Sequence, residues 1–125
     1  MSLPTRERSH APDVIAPDGS EVRILAATAR GSMAQFTLPP GAVSKAVAHR
    51  SVEEVWLVTH GVGRMWRKLG DAEVMAELRP GISVAIPVGA QFQFRNDGDE
   101  PLHCVGVTMP PWPGMDEAYE VDGVW

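Results

Sequence analysis

Glycine and proline interrupt this chain every several residues, and that punctuation limits its possible folds more than any other feature. Twelve glycines and eleven prolines are spread over 125 residues, which leaves little room for long helices. The stretches between them are short and rich in β-branched and apolar residues. They are Glu21 to Thr28, Ser32 to Leu38, Val52 to Thr59, Gly63 to Lys68, Ala72 to Leu78, Ile82 to Ile86, Gln91 to Arg95 and Leu102 to Thr108. Many short strands separated by turn residues predict an all-β sandwich or barrel. Within this series, His60–Gly61–Val62–Gly63 reads as a hairpin connection.

Alternation inside the runs assigns faces. Ile82, Val84 and Ile86 share one side of a strand, with Ser83 and Ala85 on the other. In Glu54 to Val58 both sides are apolar: Trp56 and Val58 on one, Val55 and Leu57 on the other. Such a strand needs cover from a second layer or a partner chain, so a homodimer of packed sheets is expected. Residues 1–20 read as a polar, partly ordered leader, 21–109 as the barrel, and 110–125 as a tail rich in proline and tryptophan. The prolines of Pro110–Pro111–Trp112–Pro113 bar a central strand there. Trp112 and Trp125 are too apolar to leave in water, so the tail either seals the body or forms a lid over a cavity.

Charge narrows the partners. A net charge of −5 and a pI near 5.3 argue against a general nucleic-acid or anionic-membrane surface. The basic knot of Arg64, Arg67 and Lys68 reads as a solvated strand edge. Cys104 is the one cysteine, which excludes an intrachain disulfide and a cysteine-rich zinc site and suits a reducing, cytoplasmic setting. The polar start lacks the apolar core of a signal peptide, and no apolar run approaches membrane-spanning length.

Two segments resemble the paired motifs of the cupin superfamily. The first family motif is a glycine, a His-any-His pair, a glutamate and a closing glycine; Gly41, Val47, His49, Glu54 and Gly61 stand at those positions. The second is a glycine, a Pro-any-Gly, a histidine and an asparagine; here Gly81, Pro87, Gly89, Phe92 and Asn96 correspond. Every fixed position agrees except Val47 and Phe92, which replace histidines. The resemblance implies a double-stranded β-helix, or jelly-roll barrel. In metal-bearing cupins the three histidines and the glutamate hold a divalent metal inside it.

Val47 and Phe92 have no lone pair to give, and two remaining protein ligands hold a transition metal loosely. A barrel without a metal is therefore expected. The alternative is a divalent transition metal on His49 and Glu54, completed by a residue such as His103. Without a metal, His49 and Glu54 are expected to form a hydrogen-bonded pair. That pair is either inert, a binding spot for a ligand's hydroxyl or carboxyl group, or a general acid and base. Trp56 shares the inward face with Glu54, and Trp66 is expected across the hairpin from it. With Phe92 and Phe94 they would wall a pocket for a small organic ligand. The alternative is an enzyme, an isomerase, epimerase, lyase or dioxygenase, using a rebuilt metal site or the His49/Glu54 pair.

Overall fold

The described residues, 2–125 of a computed structural model, form eleven strands and one 3-10 turn, Met115–Glu117. In chain order the strands are β1 (Val14–Ile15), β2 (Glu21–Ala27), β3 (Ser32–Leu38), β4 (Val47–His49), β5 (Glu53–His60) and β6 (Gly63–Leu69). There follow β7 (Ala72–Leu78), β8 (Ser83–Ile86), β9 (Gln91–Asn96), β10 (Leu102–Met109) and β11 (Ala118–Glu120). All pairings are antiparallel. One sheet runs β1-β2-β3-β10-β5-β8, and the other runs β11-β4-β9-β6-β7. The all-β barrel expected from the sequence is what forms, and the eight expected strands agree with the observed ones to within a residue or so. The short strands β1, β4 and β11 were beyond the pattern: each is too brief to show alternation.

The core lies between the sheets. Strand parity sends Leu38, Trp56, Val58, Met65, Val84, Ile86, Phe92, Phe94 and Cys104 inward, all nearly free of solvent contact. Asn96, fully buried, ties the framework together. Its amide donates to the carbonyls of Leu38 and Glu100, and its side-chain oxygen accepts from the Gly98 amide.

The hairpin expected at residues 60–63 does not exist. Strands β5 and β6 lie in different sheets, because the apolar face of β5 must meet that of β6 across the core. The link between them passes close to neighbouring backbone. Gly61 has φ of 89°, and a Cβ there would stand 2.6 Å from the Pro101 carbonyl oxygen. A Cβ at Gly63 would overlap the Arg95 carbonyl oxygen. These glycines serve a crossover, and close approach is what they permit.

Both ends of the chain fold back. Arg23 donates to the backbone carbonyls of Ser9 and His10, and the Asp13 carboxylate accepts from the Ile24 amide. At the other end β11 pairs with β4, placing Ala118 opposite His49. Farther on, the Gln93 side-chain oxygen accepts from the amides of Val124 and Trp125, and the guanidinium groups of Arg64 and Arg95 lie over the Trp125 ring. No helix among the described residues is long and apolar enough to cross a membrane.

Candidate functional site

Alternation on five strands brings a small set of side chains to one end of the barrel. Strand β5 turns Glu54 and Trp56 inward, β4 gives Val47 and His49, β9 gives Phe92, β10 gives Thr108 and β3 gives Phe36. They surround a cavity of about 230 Å³, mostly apolar, whose rim is formed by the first turns of the chain and by the tail. Phe36 stacks on Trp56 with ring centroids 4.6 Å apart. The ring of Phe92 meets Trp56 edge-on at 5.9 Å.

Glu54 is held from two sides. Its Oε1 accepts from the Trp56 indole at 3.2 Å, and its Oε2 accepts from the Thr108 hydroxyl. Burial pushes its carboxyl up to about 7; the Thr108 and Trp56 hydrogen bonds oppose that, while nearby Asp18 and Glu117 add to it. His49 is buried as well, and burial pushes it down to about 4, against the pull of the Glu117 charge. Between those values both groups are uncharged.

The expected His49–Glu54 hydrogen bond is absent. Nδ1 of His49 stands 3.8 Å from Glu54 Oε1, too far for one. Burial has removed the charges that would draw the pair together, and Glu54 already has Thr108 and Trp56. The His49 Nδ1 has no hydrogen-bond partner among the described residues. The rings of Phe92 and Trp112 approach the imidazole edge-on, each at 5.3 Å.

Three other expected site residues stand elsewhere. Trp66 is on the outer face of its sheet, where its indole donates to Glu73 at 2.8 Å. Met65 takes the inward slot opposite Phe94 in the β6–β9 register, so Trp66 is one residue out of phase for the cavity. Phe94 points inward but packs behind Trp56, 5.1 Å between centroids, instead of lining the cavity. His103 faces out, where its Nδ1 meets the Thr37 hydroxyl at 2.8 Å. The inward positions of β10 belong to Leu102, Cys104, Gly106 and Thr108. Burial pushes the Cys104 thiol up to about 12 and leaves it unreactive.

The cavity also uses residues that sequence reasoning passed over: Asp18, Phe36, Thr108 and Met115. Thr108 and Phe36 were within reach, since each shares the inward parity of a strand whose core positions are plain. Asp18 gave no signal. It sits in a loop, buried, with the Ser20 amide and hydroxyl on its Oδ1, and burial raises its carboxyl. The tail lines the cavity with Trp112, whose amide donates to the Ser32 hydroxyl. A latch holds the far end of that segment: Glu117 accepts from the Ser51 amide, the Ser51 hydroxyl and the Val52 amide.

The residues present do not fit a divalent metal. Of the four positions that would supply ligands, Val47 and Phe92 offer none, and the Glu54 oxygens already accept two hydrogen bonds. No group of three His, Cys, Asp or Glu side chains suited to a metal ion stands together among the described residues.

Comparison with known proteins agrees on the fold. The model of the cupin domain family matches residues 34–108. The capsular polysaccharide assembling protein CapF from Staphylococcus aureus superposes with a TM-score of 0.74 at 19% identity, over 98% of this chain but 35% of that one. Oxalate decarboxylase from Bacillus subtilis gives a TM-score of 0.72 at 20% identity, over 86% of this chain and 29% of that one. A Klebsiella pneumoniae protein with a double-stranded β-helix domain is closer in size. It has a TM-score of 0.68 at 18% identity, over 95% of this chain and 91% of its own. The chain thus spans about a third of CapF and of oxalate decarboxylase. It belongs to the cupin domain family.

Proposed function

We propose that this cupin is a small-molecule-binding protein that works without a metal. The observation that carries the reading is a buried, partnerless His49 nitrogen beside an apolar cavity of about 230 Å³. A buried polar atom left unbonded costs about 1–3 kcal/mol, and a guest in the cavity would remove that cost. Val47 and Phe92 at ligand positions support the absence of a metal.

Two measurements test this together. Elemental analysis of protein purified without chelator should find no stoichiometric transition metal. Calorimetric titration with small aromatic compounds should show saturable one-to-one binding that is lost when Val47→Trp fills the cavity. A stoichiometric metal that disappears in His49→Ala, or no binding by any compound, would overturn the reading.

A second reading, an acid–base enzyme, draws on one observation: the Glu54 carboxyl lies near 7, where a proton can be both given and taken. Turnover that follows Glu54 titration and vanishes in Glu54→Gln would select it.

The same proposal places the protein in the cytoplasm, where its single buried thiol needs no oxidant, and pairs it with a second copy. The outer face of the six-stranded sheet carries a continuous apolar row across four strands: Ala85, Val55, Val107 and Met33, in register. Leu57 and Val105 form part of the next row. An uncharged apolar strip can meet its own copy about a two-fold axis. Sedimentation should show a dimer that Val55→Glu dissociates, and a monomeric parent protein would count against it.

A further inference from the structure

We propose that the guest is a flat, uncharged aromatic molecule bearing one hydroxyl, inserted hydroxyl first, with that oxygen seated between His49 Nδ1 and Glu54 Oε1. This rests on the small-molecule reading above and specifies its ligand.

The polar end is argued from the gap. Nδ1 and Oε1 are 3.8 Å apart, too far to bond each other, yet one oxygen can reach both at about 2.8 Å. The Thr108 hydroxyl and the Trp56 indole fix the carboxyl in place, so the gap is a preorganised feature. A hydroxyl is the group that fits it when Nδ1 and Oε1 present one donor and one acceptor, since it then donates to one side and accepts from the other. A carbonyl oxygen could only accept.

Charge excludes the other common head groups. No lysine or arginine is among the described lining residues, so a carboxylate or phosphate would be desolvated without a counter-charge. An ammonium group meets a neutral imidazole and a carboxyl that burial keeps largely protonated below about pH 7. Asp18, the other carboxyl on the wall, already accepts two hydrogen bonds from Ser20.

The body of the guest is argued from walls and volume. Phe36, Trp56, Phe92 and Trp112 present flat faces and edges suited to a ring. An apolar cavity of about 150 Å³ accepts one benzene ring, so 230 Å³ accommodates a substituted ring or two fused ones. Orientation follows from the rim, where Val14, Ile24 and Met115 are apolar and 40–53% exposed. The ring emerges among them while the hydroxyl lies deep.

Calorimetric titration of the full chain at pH 6 with toluene, p-cresol, p-toluate and 4-methylbenzylamine tests this. The expected result is that p-cresol binds about ten-fold tighter than toluene, the worth of one to two net hydrogen bonds, and that the two charged compounds bind more weakly than either. His49→Phe should reduce the cresol preference below about two-fold. In the wild-type protein, p-cresol but not toluene should shift the His49 Nδ1 resonance, a readout that does not depend on the variant folding. Equal binding of toluene and p-cresol, a preference for either ion, or an unmoved His49 resonance would overturn the hydroxyl assignment while leaving a binding cavity in place. Failure of all four to bind would remove both that assignment and the cavity reading beneath it.

Discussion

Thr108 on β10 and Glu54 on β5 are direct partners across the sheet, and the threonine hydroxyl donates to the glutamate carboxyl inside the barrel. Each side chain makes the other tolerable there, since a buried carboxyl without donors is costly. Thr108→Val keeps the shape and deletes the donor. It should destabilise the protein by about 1–3 kcal/mol in urea unfolding and move the Glu54 titration further up, because the lost bond is one of the two holding it down. Thr108→Ser should restore both. A Thr108→Val protein as stable as its parent would show that the pair contributes nothing.

Glu54 and His49 pull stability in opposite directions with pH. The Glu54 carboxyl, raised from 4.5 to about 7, binds its proton more tightly when folded, so its stabilisation is full below 4.5 and is lost as pH rises through 7. His49, lowered from 6.5 to about 4, gives its proton up on folding, so stability is lost as pH falls from 6.5 through 4. Between 4.5 and 6.5 the two slopes cancel. Single variants should expose them. Relative to wild type, Glu54→Gln should gain about 3 kcal/mol as pH rises over that interval and beyond to 7, and His49→Phe should lose a similar amount as pH rises from 4 to 6.5. Asp18, also raised by burial, titrates in all three proteins, so its own burial contribution is shared by them. Urea midpoints across this range check it; profiles that run parallel in all three proteins would refute the opposition.

Gly106 leaves room for the Phe36–Trp56 stack. A Cβ at that position would stand 2.6 Å from the Phe36 ring and 2.8 Å from Trp56 Cδ1. Gly106→Ala should therefore cost about 1–3 kcal/mol through overpacking and alter the near-ultraviolet circular dichroism as Trp56 is displaced. An unchanged aromatic spectrum would mean that the two rings have more freedom than this packing allows.

The Glu117 latch should be separable from the barrel. Burial raises its carboxyl, but the hydrogen bonds from Ser51 and Val52 outweigh that and hold it below the usual carboxylate range. Glu117→Ala should cost about 2–3 kcal/mol and speed hydrogen exchange at the Ser51 and Val52 amides, with strands β6 and β7 little affected. Glu117→Gln, still an acceptor, should recover part of the loss. Exchange at those two amides that stays slow in Glu117→Ala would contradict the latch.

Much of the framework was legible in the sequence because its signals are local. Gly41, Gly61, Gly81 and Gly89 all take positive φ, and a residue needed for its backbone announces itself by type alone. Inward and outward faces of the long strands followed from alternation, which set Trp56 on the side of Glu54, while the motif resemblance brought His49, Glu54 and Phe92 to one space. What stayed hidden depends on register and sheet membership. Trp66 was misplaced because the link at Gly61 and Gly63 changes sheets, a choice decided by contacts with Pro101 and Arg95 far along the chain. The missing His49–Glu54 bond was hidden for a similar reason: its competitor, Thr108, lies 54 residues away from Glu54. Asp18 reaches the wall from a loop, where no periodicity exists to read.

The tail has a consequence for timing. Strand β4, which carries His49, has β11 as its neighbour on one side, and Trp112, Met115 and Ala118 supply part of the surrounding wall. All of these lie within the final fifteen positions of the described sequence. During synthesis, then, strands β2 to β10 can assemble before the chamber is enclosed. Among the described residues, the part of the cavity wall supplied by Trp112, Met115 and Ala118 is therefore the last to be synthesised.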